Sequence, residues 1–62
     1  QRWPSALQDA FIELLMSLPA PYRAYVRRTL YARVGALAAQ RAVLPADLLR
    51  LWQELRGSIG LA

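Results

Sequence analysis

PYRAYVRRTLYARVGALAAQ, residues 21–40, decides the fold. It is the longest periodic segment of the chain and reads as one central helix. It carries four of the eight arginines and all three tyrosines, so charge and rings concentrate on one element. Tyr22, Val26, Leu30 and Leu37 recur at helical spacing and define an apolar face. Tyr25, Thr29 and Val34 flank that face, whereas Arg23, Arg27 and Arg28 point away from its centre. Pro21 suits a first turn, where a backbone N–H would be orphaned anyway. Gly35 sits inside the pattern at a cost of about 1 kcal/mol relative to alanine. Such a glycine usually serves close packing or a bend, and Ala36, Ala38 and Ala39 after it are also small.

Upstream, Leu7, Ala10, Phe11, Leu14, Leu15 and Leu18 form an unbroken helical stripe. Ser5-Ala6-Leu7-Gln8 has the form of a capping box, after the lead-in Gln1 to Pro4. Pro19-Ala20-Pro21 ends this first helix, because proline cannot continue the ladder and restricts the residue before it. Downstream, Arg41 to Leu44 is a short connection. Pro45 opens a third helix with Asp47 near its positive end. Leu48, Leu51, Trp52 and Leu55 are its stripe, Arg50 and Glu54 are an i, i+4 pair, and Gly57 is a natural stop. The expectation is therefore an all-α fold of three helices, Ser5–Leu18, Pro21–Gln40 and Pro45–Arg56. The central helix is flanked by two shorter amphipathic ones. Leu14, Leu18, Val26, Leu30, Leu37, Leu48 and Trp52 are the expected core.

Sixty-two residues make one domain at most. A chain this short buries only about 60% of its unfolded surface, yet 56% of its residues are hydrophobic. Some apolar surface should stay outside and mark a partner face; the candidates are Trp3, Ile12, Met16, Tyr31, Ile59 and Leu61. That surplus, with a start at Gln1 rather than methionine, leads us to expect a domain excised from or associated with a larger protein, or a homo-oligomer. There is no Cys and no His. Thiolate and imidazole metal sites, Ser-His and Cys-His nucleophiles and histidine switches are excluded. Ser5, Ser17 and Ser58 have no base to activate them. No metal is expected on this chain. No apolar run approaches the roughly 18 residues of a membrane span, no signal peptide is visible, and a cytoplasmic location is expected.

The net charge of +4 comes wholly from arginine. Arg23, Arg27 and Arg28 have the guanidinium forks that grip phosphates or carboxylates; the commoner reading of such a run is a solvated helix face. Helix–turn–helix from Pro21 to Arg56 invites a DNA-binding reading. A recognition helix, however, presents Arg, Asn, Gln or Ser near its N-terminus, where this chain has Pro45, Ala46, Asp47 and Leu48. Nucleic acid is therefore a third choice. The aromatics could stack on a planar ligand, but at helical spacing Tyr22 and Trp52 read as core. Asp9 and Glu13, one turn apart, are too few for a cation site and read as a solvated face. Arg33 falls within the apolar arc of the central helix, and a guanidinium cannot shed its charge. It should snorkel or pair, with Asp47 as first partner and Glu54 as second.

The order Trp3, Pro19, Arg23, Arg27, with a helix ending in small residues and then Leu44-Pro45-Ala46-Asp47, resembles a known pattern. It is similar to the small helical C-terminal domain (PCP-reductase-like domain) of the light-independent protochlorophyllide reductase B subunit and its stand-alone relatives. The resemblance runs from Trp3 to Glu54. Tyr31 stands where that family tends to carry Glu, and Pro45 replaces its threonine cap. The resemblance implies a bacterial protein of bacteriochlorophyll biosynthesis, associated with a nitrogenase-like reductase. The iron–sulfur cluster and the reducing chemistry would lie in partner domains. This domain would help cover the tetrapyrrole site or dock a partner subunit, with Arg23 and Arg27 meeting a partner carboxylate or a substrate propionate; Arg28 and Tyr31 complete the candidate partner- or substrate-binding set. The competing reading is a self-associating helical module unrelated to reductase chemistry.

Overall fold

The computed structural model describes residues 3–61. It contains α1 (Ser5–Met16), α2 (Ala20–Ala38) and α3 (Pro45–Ser58), with no strand among the described residues. All three helix pairs are in contact, within extents of 29 × 19 × 18 Å. Short connections reverse the chain twice. Thus α2 runs antiparallel to both neighbours, and α1 and α3 run parallel. None of the helices described is long and apolar enough to cross a membrane.

One core lies where the three stripes meet. Val26, Leu30, Val34 and Leu48 are fully buried, and Leu7, Phe11, Leu15, Leu18, Leu51, Trp52 and Leu55 complete the cluster. Five of the expected core residues are among these; Leu14 and Leu37 are half-buried against its edge. Tyr22 is not core. It is exposed, because the buried arc of α2 is centred on Val26, Leu30 and Val34 and Tyr22 lies at its margin in the first turn. Val34, expected only to flank the face, takes a central place. Of the residues expected outside, Ile12, Met16 and Tyr31 are exposed. Trp3, Ile59 and Leu61 fold back against the core instead.

The helix ends also differ from expectation. At the start of α1 the Leu7 and Gln8 amides donate to the Pro4 carbonyl. Pro4 is therefore the N-cap, Ser5 is already helical, and the Ser5 capping box does not form. The α2 helix starts one residue earlier, behind Pro19, and ends at Ala38. The α3 helix runs through Gly57. The residue that stops it is Gly60, at φ +81°, a left-handed conformation that glycine adopts at little cost. There the Leu61 amide donates to the Arg56 carbonyl at 2.9 Å and the Gly60 amide to that of Gly57 at 3.2 Å. This pair of reversed bonds is a Schellman ending, and Leu61 closes it by packing on the core.

Candidate docking surface

The α1–α2 side of the bundle carries most of the side chains that the sequence marked for function. Its upper part is aromatic. Trp3 stacks on Tyr31, with ring centroids 4.9 Å apart and planes 24° apart. Phe11 meets Trp3 edge-on at 5.1 Å and Tyr31 at 6.3 Å. Offset and edge-to-face contacts of this kind suit the ring quadrupoles. Beside the rings an open groove of about 510 Å³ is walled by Trp3, Leu7 and Tyr31 and floored by the small residues Gly35, Ala38 and Ala42. A Cβ added at Gly35 would meet nothing within 4 Å. Close packing inside this fold is therefore not what the glycine serves.

The lower part is charged, and its arginines divide by role. Arg23 is half-buried. Its Nε donates to the Leu18 carbonyl at 3.0 Å, and a terminal nitrogen donates to Met16 at 3.4 Å. These carbonyls at the end of α1 have no helical partner. Arg23 thus staples the α1–α2 turn, a role that an angle on a helical wheel could not reveal. Arg27 and Arg28 are exposed. Arg28 lies 6.0 Å from the centroid of the Tyr25 ring. Neither forms an ion pair among the described residues. Ile12, Met16 and Tyr31, 55%, 59% and 57% exposed, lie on the same two helices.

The α2–α3 side holds the ion pairs, in an arrangement unlike the expected one. Arg33 does not reach Asp47. It faces Glu54 at 4.0 Å, with both side chains about half exposed. Arg33 lies more than a turn before the end of α2, so antiparallel α3 brings its third turn alongside rather than its first. Asp47 is taken by Arg41, whose two terminal nitrogens donate to Oδ1 and Oδ2 at 2.8 Å each. Asp47 Oδ2 also accepts from the Leu44 amide at 2.9 Å. That is half of a capping box; the other half needs a side-chain acceptor, which leucine lacks. The Arg41 guanidinium, then the Leu44 N–H, hold the Asp47 carboxyl well below the usual carboxylate range, and Asp47 in turn raises Arg41. Arg41 was legible only as part of a connection. Its one signal is a base at the end of one helix and an acid in the first turn of the next. The Arg50–Glu54 pair forms as expected, at 3.3 Å.

Trp52 is buried as expected, and the Arg56 guanidinium covers its ring at 4.8 Å. The first turn of α3 offers Pro45, Ala46 and an Asp47 already held by Arg41, a poor set of groups for base edges. No family model, no curated protein and no solved structure matches the chain.

Proposed function

We propose that this chain is a docking domain with no chemistry of its own. The observation that carries the reading is that exposed Ile12, Met16 and Tyr31 share the neighbouring helices α1 and α2 with the exposed arginines Arg27 and Arg28. Apolar side chains gathered with solvated charge are what a partner surface presents. Composition supports the same reading, since a chain without Cys or His lacks the usual ligands and bases. Arg27, Arg28 and Tyr31 are the contacting residues in this proposal. Arg23 supports them from behind by fixing the turn.

The order Trp3, Pro19, Arg23, Arg27 supports a nitrogenase-like reductase of the protochlorophyllide-reducing kind as the larger assembly. On that reading the Trp3–Tyr31 ring pair and its groove are the surface that would help cover a tetrapyrrole. The iron–sulfur cluster would belong to other domains. The test is affinity purification of the parent protein, with mass spectrometry of what accompanies it. The expected outcome is recovery of reductase subunits with the native chain and their loss with Arg27→Glu. Recovery of none with the native chain would remove the reductase from the proposal. A helical module that pairs with itself is the second reading, and the charge distribution below favours it.

A further inference from the structure

We propose that the exposed α1–α2 face is covered by a second copy of this chain, related by a two-fold axis parallel to the helices. The inference rests on the docking reading of that face and names its occupant.

Charge is segregated by helix. The α1 helix carries Asp9 and Glu13 and no base; α2 carries Arg23, Arg27, Arg28 and Arg33 and no acid. These helices are neighbours, yet no ion pair joins them among the described residues. Among the described residues every salt bridge involves Asp47 or Glu54 on α3. Asp9 and Glu13 are exposed, and so are Arg27 and Arg28. Among the described residues, two acids and two bases on these neighbouring helices thus form no ion pair.

Their placement fits a two-fold contact. At about 100° per residue, Asp9, Ile12, Glu13 and Met16 fall together on the outward quadrant of α1, opposite Leu7, Phe11 and Leu15. Phe11 lies level with Tyr31, and Leu18 is bonded to Arg23. Antiparallel packing between these two points sets Glu13 at the height of Arg28. Rotation about an axis parallel to the helices preserves height and exchanges the helices. It therefore lays α1 of one copy antiparallel against α2 of the other, and Glu13 meets Arg28 of the second copy twice. Ile12 and Met16 are then covered between the pairs. The result is a four-helix arrangement of ordinary type, closed by an isologous interface. An acidic protein or a nucleic acid would match only the α2 half and would be repelled by Asp9 and Glu13. A second copy matches both halves.

The test is sedimentation equilibrium of the chain over a range of concentration, with Glu13→Arg, Arg28→Glu and the double reversal. A concentration-dependent doubling of mass is expected. Each single reversal sets like charges together, which should weaken association by about tenfold or more. The double reversal should restore it, and added salt should weaken the parent. Both positions are exposed, so circular dichroism should show unchanged helix in all variants. A native chain that stays monomeric at millimolar concentration would overturn the inference, as would a double reversal no better than the singles. A monomer that still retains reductase subunits through Arg27 would overturn the second copy alone and leave the docking reading standing. A monomer that retains none would remove both.

Discussion

Along the α1–α2 seam, α2 meets its neighbour through rings and helix-end carbonyls. Along the α2–α3 seam it meets α3 through ion pairs. Trp3, Phe11 and Tyr31 interlock on the first side, with Arg23 bonded to Leu18 and Met16. Arg33–Glu54 spans the second, and Arg41, in the connection between the two helices, grips Asp47 at its end. The difference teaches which forces each seam obeys. Ring packing and buried methylenes respond to volume and hardly to salt. A half-exposed pair such as Arg33–Glu54 is worth little, whereas Asp47 is largely covered and held by both terminal nitrogens of Arg41. On the α3 side, buried Leu48, Leu51 and Leu55 hold the helix, and the charges above them select its register.

Four experiments would break or sharpen this contrast. The largest effect is expected from Phe11→Ala, which removes a buried ring from the first seam and should cost about 3–5 kcal/mol. A domain of this size has only about that much stability, so urea unfolding should lose its cooperative transition at 25 °C. A loss below about 1 kcal/mol would mean that the rings are not what joins α1 to α2. Next comes the Trp3–Tyr31 stack. A double-mutant cycle with Trp3→Ala and Tyr31→Ala should give a coupling of about 1 kcal/mol, unchanged in molar salt. Coupling that disappears with salt would erase the distinction between the seams.

Asp47→Asn probes the second seam and should act mainly through pH. Arg41 and the Leu44 amide hold the Asp47 carboxyl below its ordinary range, so the folded state takes up a proton less readily than the unfolded one. The stabilisation is therefore complete above the unfolded value of about 4 and fades as pH falls below it. The parent Tm should be flat between about pH 7 and 5 and drop below about 4, and the drop should be shallower in Asp47→Asn. Parallel acid slopes would show that Asp47 contributes nothing. Smallest of all, Arg33→Ala should change stability by less than about 0.5 kcal/mol, as its nitrogen stands 4.0 Å from Glu54 and both groups are solvated. A larger loss would mean that the ion pairs do more than select register.

The residues announced the helices far better than they announced the neighbours. Proline breaks at Pro19 and Pro45 and the stripes of Leu7 to Leu18, Val26 to Leu37 and Leu48 to Leu55 led directly to three helices and one core. A periodic pattern gives an angle on one helix; it gives no height on the next. That is why the sequence points Arg33 to Asp47, whereas the antiparallel partner sets Glu54 beside it. It is also why the reach of Arg23 back to the Leu18 and Met16 carbonyls, across the α1–α2 turn, has no signal in the sequence. Tyr22 has core spacing yet is exposed, because it lies in the first turn of α2, at the margin of the part its neighbours cover. Helix ends depended on single backbone bonds: Pro4 rather than Ser5 at the start of α1, Gly60 rather than Gly57 at the end of α3. Of the candidate surface, Arg27, Arg28 and Tyr31 were legible as exposed groups, and Ile12 and Met16 as surplus apolar surface. Their gathering on one side of two helices needed the fold.

The two connections, residues 17–19 and 39–44, also bear on how quickly this fold is reached. Each joins helices that pack directly on one another, so most of the fold is reached by closing small loops, and only the α1–α3 contact brings distant segments together. Loop-closure entropy is paid in short steps, and the helices themselves form within about a microsecond. Helical domains with such local topology cross their barrier in microseconds to milliseconds. With only a thin margin of stability over the unfolded state, the native chain should also open often. Phe11 and Trp52 would then meet solvent many times in the life of each molecule, and a partner that covers the α1–α2 face would lengthen the intervals between those openings.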